Sequence, residues 1–383
     1  MLSKTRLFSA VIVVLSLLLV LGSGEIFVRL VFPYNTPETV RRYSIPYAPS
    51  IFSKHRLKPV ARIVEEDGSK GLGTKKAHER PLHRFYINET GFRGRSFSVR
   101  KPQGIIRIVI VGGSSVFDAN ARDASDEEGK DWPHLVEGML KRSGYSQVEV
   151  INAGVPGHAT FDSLGRLYSQ IWMYQPDYVL LYNCWNDIKY FRVVTPEQPL
   201  ITLFSPFREG ANPFVHYQGY FDELLCNFQL YVKFRNHYYS KKYQVGGEGL
   251  IPQDNYRDSY TPYGLQQYRL NVQLIVDACR NIGATPVLVP EATLVTANNT
   301  PEERKLIGYE RQRLTHDALL RAIQDTYQVL REVARQKGVE VLDLTTKLNG
   351  RREFFIDAVH LSDRGSQEIA GLVASFVASR LKN

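Results

Sequence analysis

Residues 105 to 111, IIRIVIV, are an unbroken apolar and β-branched run apart from Arg107, and they end at Gly112-Gly113. An amphipathic element would alternate or show a polar stripe. A run without either fits a strand covered on both faces, the pattern of a parallel sheet whose strand feeds a tight turn. The same pattern returns along the chain. Helical spacing predicts helices over 132–142, 161–174, 265–280, 315–337 and 364–381, and apolar runs predict strands over 148–151, 178–182, 286–289 and 339–344. Five strands separated by helices imply a doubly wound α/β fold around a parallel sheet. In such a sheet ligands bind beyond the C-terminal strand ends, so the residues after each strand are where chemistry is expected.

Residues 190–262 interrupt this rhythm with aromatic, proline-containing sequence such as FSPFREGANPF and FRNHYYSKKY. They read as a cap-like insertion after the third strand, the kind of segment in which selectivity is set.

At the other end of the chain, Leu7 to Gly24 run eighteen residues without a charge, preceded by Lys4 and Arg6. At about 1.5 Å per residue the run reaches about 27 Å, enough to cross a hydrocarbon core with little tilt. Gly22-Ser23-Gly24 offers small residues for a signal cut before Glu25, but the apolar run is longer than a usual signal core and resumes at Ile26. Residues 1–32 are therefore expected to be a retained transmembrane anchor, with Lys4 and Arg6 on the cytoplasmic side.

The net charge of +9 is unevenly placed. Residues 1–104 carry 18 Lys and Arg against 7 Asp and Glu, whereas residues 105–383 carry 30 against 32. The surplus belongs to the anchor and to a basic stalk over 33–104, where it suits anionic headgroups or envelope polymers. With no recognition motif beside the charge, nucleic acid is not an expected partner. Cys184, Cys226 and Cys279 have no CxxC spacing, which argues against a disulfide scaffold or a zinc site.

The predicted strand ends carry four groups. Gly112-Gly113-Ser114-Ser115 follows the first strand, Asn152-Ala-Gly-Val-Pro-Gly157 the second, Asn183-Cys-Trp-Asn186-Asp187 the third, and Asp357-Ala-Val-His360 follows the last strand after a loop. Each alone is weak: a Gly-Gly-Ser can be only a turn, and an Asn only a cap. In order, they supply a hydroxyl nucleophile, donors for an oxyanion, a base and a carboxylate to orient it, which is what acyl transfer needs. Glu291, after the fourth strand, is read as a salt bridge or helix cap. His158 beside Gly157 and Trp185 beside Asn186 are candidates for lining a pocket, while Trp172, on an inward helical stripe, is expected in the core.

At these positions the chain resembles the SGNH, or GDSL, hydrolase superfamily over residues 105–383. The resemblance implies a flavodoxin-like, three-layer sheet of about five parallel strands, with no cofactor or metal. It makes Ser114 the nucleophile, His360 the base, Asp357 its partner, and Ser114, Gly157 and Asn186 the oxyanion hole. Ser115 remains a rival nucleophile. Asn88-Glu-Thr-Gly-Phe-Arg-Gly94 and Lys101-Pro-Gln-Gly look like the lead-in of membrane-anchored bacterial members. Two departures stand out: Gly113 replaces the usual aspartate, and Cys184 replaces the usual glycine two residues before Asn186.

The expectation is thus a membrane-anchored serine esterase with its catalytic domain in the periplasm or outside the cell, acting on ester-linked acyl groups, O-acetyl first, of an envelope carbohydrate or lipid. An O-acyltransferase using the same site, or a tethered binding protein without turnover, are the competing readings.

Overall fold

The computed structural model describes residues 4–31, 47–48, 53, 56–57, 62–66, 82–118, 120–121, 129–197, 199–200, 220–226, 228–243 and 256–382. The GSKGLGTKK segment read as a loop and the FSPFREGANPF stretch lie outside them. The chain divides into two compact units, one of Pro46–Leu203 with Leu250–Asn383 and one of Met1–Ile45 with Phe204–Gly249.

The larger unit opens with two antiparallel pairs, β1 (Tyr47–Ala48) with β2 (Arg56–Leu57), and β3 (Arg62–Glu66) with β4 (Leu82–Tyr86). Five parallel strands follow: β5 (Ile106–Gly112), β6 (Val148–Gly154), β7 (Tyr178–Tyr182), β8 (Thr285–Val289) and β9 (Glu340–Val341). Their spatial order is β6-β5-β7-β8-β9. This is the flavodoxin-like order, whose reversal beside the first strand opens a crevice at the C-terminal strand ends.

Strand alternation divides the core in two. Ile108, Ile110, Val150, Leu180 and Val287 belong to one buried cluster, and Val109, Val111, Ile151, Leu181 and Leu288 to the other. Helices α3 (Trp132–Arg142) and α10 (Asp363–Leu381) pack on the first face through Val136, Leu140, Ile369 and Val373. Helices α4 (Thr160–Ser169), α5 (Trp185–Phe191), α8 (Pro262–Asn281) and α9 (His316–Lys337) cover the second. Burying each such aliphatic side chain contributes about 1.5–3 kcal/mol, which is why the strand sequences are apolar on both sides. Thr261, Thr315 and Ser362 cap α8, α9 and α10, each hydroxyl accepting from a backbone N–H three residues on.

One expectation fails. Trp172 is 50% exposed, not in the core. Helix α4 stops at Ser169, and a 3-10 turn over Ile171–Tyr174 takes over. That turn buries Ile171 and Tyr174, three residues apart, and rotates Trp172 outward.

Residues of the basic segment join the larger unit: Phe85, Ile87, Phe92 and Phe97 are buried, and Arg93 bridges to Asn152 of β6. Asn88 folds the turn between, its Oδ1 accepting from the backbone N–H of Thr90 and of Phe92, each at 3.0 Å.

In the smaller unit, α1 (Lys4–Val31) contains a 21-residue apolar stretch, Val11–Val31, of mean hydropathy 2.5. It is one helix long and apolar enough to cross a membrane. Helices α6 (Tyr220–Leu225) and α7 (Gln229–Tyr243) complete this unit.

Candidate active site

Strand β5 ends at Gly112, and the chain turns at Gly113 into α2 (Ser114–Phe117). Gly112 is required by space, and Gly113 is crowded. A Cβ at Gly112 would lie 2.2 Å from the carbonyl oxygen of Tyr182, and one at Gly113 would lie 2.6 Å from Asn186 Nδ2 and 3.1 Å from the His158 carbonyl oxygen. Gly113 has φ −88°, so close approach and not backbone conformation is what a side chain there would meet. The absent aspartate is therefore matched to its surroundings: the β6–α4 turn and α5 press directly on this position.

Ser114 stands partly exposed at the turn while Ser115 is buried. Ser114 Oγ lies 2.7 Å from His360 Nε2, and His360 Nδ1 lies 2.6 Å from Asp357 Oδ2. The loop that carries this pair is held by its own backbone. Ile356 N–H donates to the His360 carbonyl at 2.9 Å, and Asp357 Oδ1 accepts from Val359 N–H and His360 N–H at 2.9 and 2.8 Å. Burial acts to raise the Asp357 pKa. The hydrogen bond and charge of His360 and the two backbone donors outweigh it, and the net shift is downward. An ionised Asp357 can only accept, so Nδ1 of His360 carries the hydrogen and Nε2 is left to accept from Ser114.

Ser115 is occupied elsewhere. Its hydroxyl donates to Glu291 Oε1. The other carboxylate oxygen of Glu291 accepts from Cys184 N–H at 2.6 Å and Trp185 N–H at 2.8 Å, the start of α5. Glu291 is thus a helix cap, one of the two roles expected of it, and it ties the β5–α2 turn to the helix that bears Asn186. Negative charge at a helix N-terminus is favoured there by the unpaired N–H groups and the helix dipole.

Gly157 sits in the β6–α4 turn with φ +82°, a left-handed conformation suited to glycine. Next to it, the His158 carbonyl accepts from Asn186 Nδ2 at 3.0 Å and from Asn183 Nδ2 at 3.2 Å. The side chains of His158 and Trp185 are buried, at 1% and 5% exposure, and the Trp185 ring belongs to the core. Asp187, one residue past Asn186, accepts from Thr160 N–H and Oγ1 and so joins α5 to the start of α4.

A second buried polar group supports the nucleophile turn. Arg93, fully buried, donates to the carbonyls of Phe117, Asp118 and Ala121 at the C-terminal end of α2. Asp118 Oδ2 accepts from Trp132 N–H at 3.0 Å and Ser366 Oγ at 2.8 Å, and Trp132 Nε1 donates to the Ser115 carbonyl at 2.8 Å. Sequence reasoning did not assign Arg93, Asp118 or Asp187. Arg93 lay within the quoted NETGFRG segment and Asp187 beside Asn186, but nothing local names their partners.

Among the described residues no group of three or more His, Cys, Asp or Glu could hold a metal ion. A hydroxyl, an imidazole and a carboxylate in series at the crevice of a doubly wound sheet are the arrangement used by one class of enzymes, the serine hydrolases. Within it, the profile of the GDSL-like Lipase/Acylhydrolase family matches residues 110–368, most of the chain, and the protein belongs to that family. It is accordingly an ester-hydrolysing enzyme. No curated protein sequence matches it. Among solved structures it is similar to the acetyl xylan esterase AlAXEase, at 15% identity and TM-score 0.41, over 71% of this chain and 100% of that one. A lipase/acylhydrolase from Enterococcus faecalis matches at 17% identity and TM-score 0.42, over 72% and 97% of the two chains. A putative acylhydrolase from Bacteroides fragilis matches at 12% and 0.42, over 74% and 91%.

Proposed function

We propose that this enzyme is a membrane-anchored serine esterase that removes ester-linked acyl groups, O-acetyl foremost, from an envelope carbohydrate or lipid. The observation that carries the reading is the unbroken relay from Ser114 Oγ through His360 to Asp357, with spacings of 2.7 and 2.6 Å. Ser114 Oγ attacks the ester carbonyl as His360 takes its proton. His360 then protonates the leaving alkoxide and activates the water that frees the acyl group. Asp357 holds the imidazole tautomer and stabilises the imidazolium. The backbone N–H groups of Ser114 and Gly157 and the amide of Asn186 receive the oxyanion, and losing one such donor costs about 2.7–4 kcal/mol of barrier.

The apolar stretch Val11–Val31 supports a membrane anchor, and Lys4 and Arg6 before it favour a cytoplasmic N-terminus with the catalytic unit in the periplasm or outside. The test is acetate release from O-acetylated glycans by the wild-type protein, with fluorophosphonate labelling at Ser114. Labelling with acyl transfer to a second glycan and no acetate would replace hydrolysis by transferase activity. No labelling and no turnover would leave a tethered binding protein.

A further inference from the structure

The helical pair α6–α7 buries charge beside a small apolar cluster of Cys226 and Val232. Between the two helices Arg235 pairs with Asp222 at 2.6 Å, with both side chains buried, and Tyr231 Oη donates to the same carboxylate at 2.7 Å. Among the described residues the outward side chains, His237 apart, are mostly large and apolar: Phe221 is 82% exposed, Phe234 68%, Leu224 62%, Tyr238 57% and Phe228 52%. In water this distribution forgoes much of the apolar burial that stabilises a soluble hairpin, while still incurring the desolvation of an ion pair.

The contact with α1 says what supplies the missing apolar surroundings. Glu25 of α1 accepts from the N–H groups of Gln229 and Leu230 at 2.9 and 2.8 Å, capping the N-terminus of α7. A Cβ at Gly24 would meet Leu230 Cδ2 at 3.1 Å, so the two helices touch closely there. Leu230, Phe234 and Tyr238 follow one another at four-residue spacing and form one stripe of α7. That stripe starts at α1 and continues the exposed apolar surface of its span, in which Leu15, Leu18, Leu19 and Leu30 are all more than half exposed.

We propose that α6 and α7 are an interfacial collar, with Phe221, Leu224, Phe228, Phe234 and Tyr238 seated in the acyl–headgroup boundary of the bilayer that α1 crosses. This rests on the membrane-anchored reading. Aromatic and basic residues such as Tyr238 and Lys233 are the types favoured at that depth, where the ring body is apolar and the polar tips reach water or anionic headgroups. The insertion thereby acts as a second membrane contact that starts at the end of the anchor.

The test uses the full chain in lipid nanodiscs of phosphatidylethanolamine and phosphatidylglycerol, with nitroxide labels on Leu15→Cys, Phe221→Cys, Phe234→Cys and, as an aqueous reference, Tyr168→Cys, each checked for retained esterase activity. Collision with oxygen against a water-soluble nickel chelate gives the environment. Leu15, Phe221 and Phe234 are expected to favour oxygen several-fold over the Tyr168 reference. A lipid signal at Leu15 with water-like values at Phe221 and Phe234 overturns the collar and leaves the anchor intact. Shielding of Phe221 and Phe234 from both reagents means a protein partner covers them, and also overturns it. A water-like Leu15, or an intact mass lacking residues 1–24, defeats the anchored reading itself.

Discussion

The Ser115 hydroxyl donates to the buried carboxylate of Glu291, so of the two adjacent serines after β5 only Ser114 stands within reach of His360. Substituting each separates their roles. Ser114→Ala is expected to abolish fluorophosphonate labelling and to lower kcat by on the order of 10⁴-fold or more, since oxyanion donors and binding alone remain. Ser115→Ala is expected to label normally and to lose stability, its hydroxyl being a structural donor. Label recovered at residue 115 in the Ser114→Ala protein would reverse the assignment.

Glu291 satisfies three donors at once, the Ser115 hydroxyl and two N–H groups at the start of α5. Glu291→Ala leaves all three buried without it, at about 1–3 kcal/mol each, and is expected to unfold at markedly lower denaturant. Glu291→Gln keeps an acceptor oxygen for the helix but offers an amide where the carboxylate served Ser115. Its expected signature is a folded protein with lower kcat and near-normal KM, because Asn186, the proposed oxyanion donor, rides on α5. Equal losses in KM and kcat/KM with kcat unchanged would show that Glu291 does not position the oxyanion site.

Gly113 is in contact on two sides, with Asn186 and with the His158 carbonyl. Gly113→Asp, which restores the residue more usual in the superfamily, is expected to push Asn186 away and to reduce kcat by about 10²–10³-fold, the scale of a lost oxyanion donor. Activity at the wild-type level would mean that the turn yields without moving Asn186.

The parts of this fold that could be read in advance are those whose cause is local. β5, β7 and β8 are covered on both faces, so burial leaves uninterrupted apolar runs such as IVIV and VLL. That Ser114, Asn186 and His360 gather beyond the strand ends could be read because a parallel sheet collects the residues that follow its strands, whereas the roles proposed for them rest on the likeness to the superfamily. What could not be read depends on distant partners. Glu291 meets Ser115 across 176 residues, and Glu25 caps α7 across 204. The break after Ser169 was hidden for another reason: Leu164, Leu167, Ile171 and Tyr174 keep a helical period, and Ile171 with Tyr174 fits a 3-10 turn equally well.

Asp357 accepts from the imidazole and from two backbone N–H groups of its own loop. Asp357→Asn keeps the size and one acceptor oxygen, so the loop is expected to hold. The amide cannot stabilise an imidazolium and favours the wrong tautomer of His360, which predicts a kcat loss of about 10⁴-fold with substrate binding preserved. Kinetics on p-nitrophenyl acetate, with the melting temperature as a control for folding, measure both.

Asp118 is expected to give the enzyme a pH-dependent stability. Burial raises its pKa to about 7, against the partial opposition of Arg93 and Ser366, and its Oδ1 has no hydrogen-bond partner among the described residues. The folded protein is therefore expected to keep a proton that the unfolded chain releases near the ordinary aspartate value of 3.8. Because the folded state binds more protons across that window, stability falls as pH rises from about 4 to 7, and the full penalty is present above 7. Asp118→Asn removes the titration while retaining an acceptor for Trp132 N–H and Ser366. The urea midpoint of the variant is expected to gain on wild type steadily between pH 4 and 7, and the difference should then stay constant. A difference that shrinks with rising pH would mean that Asp118 is held ionised by Arg93 throughout, and that the charge at the end of α2 is part of what keeps the Ser114 turn in place.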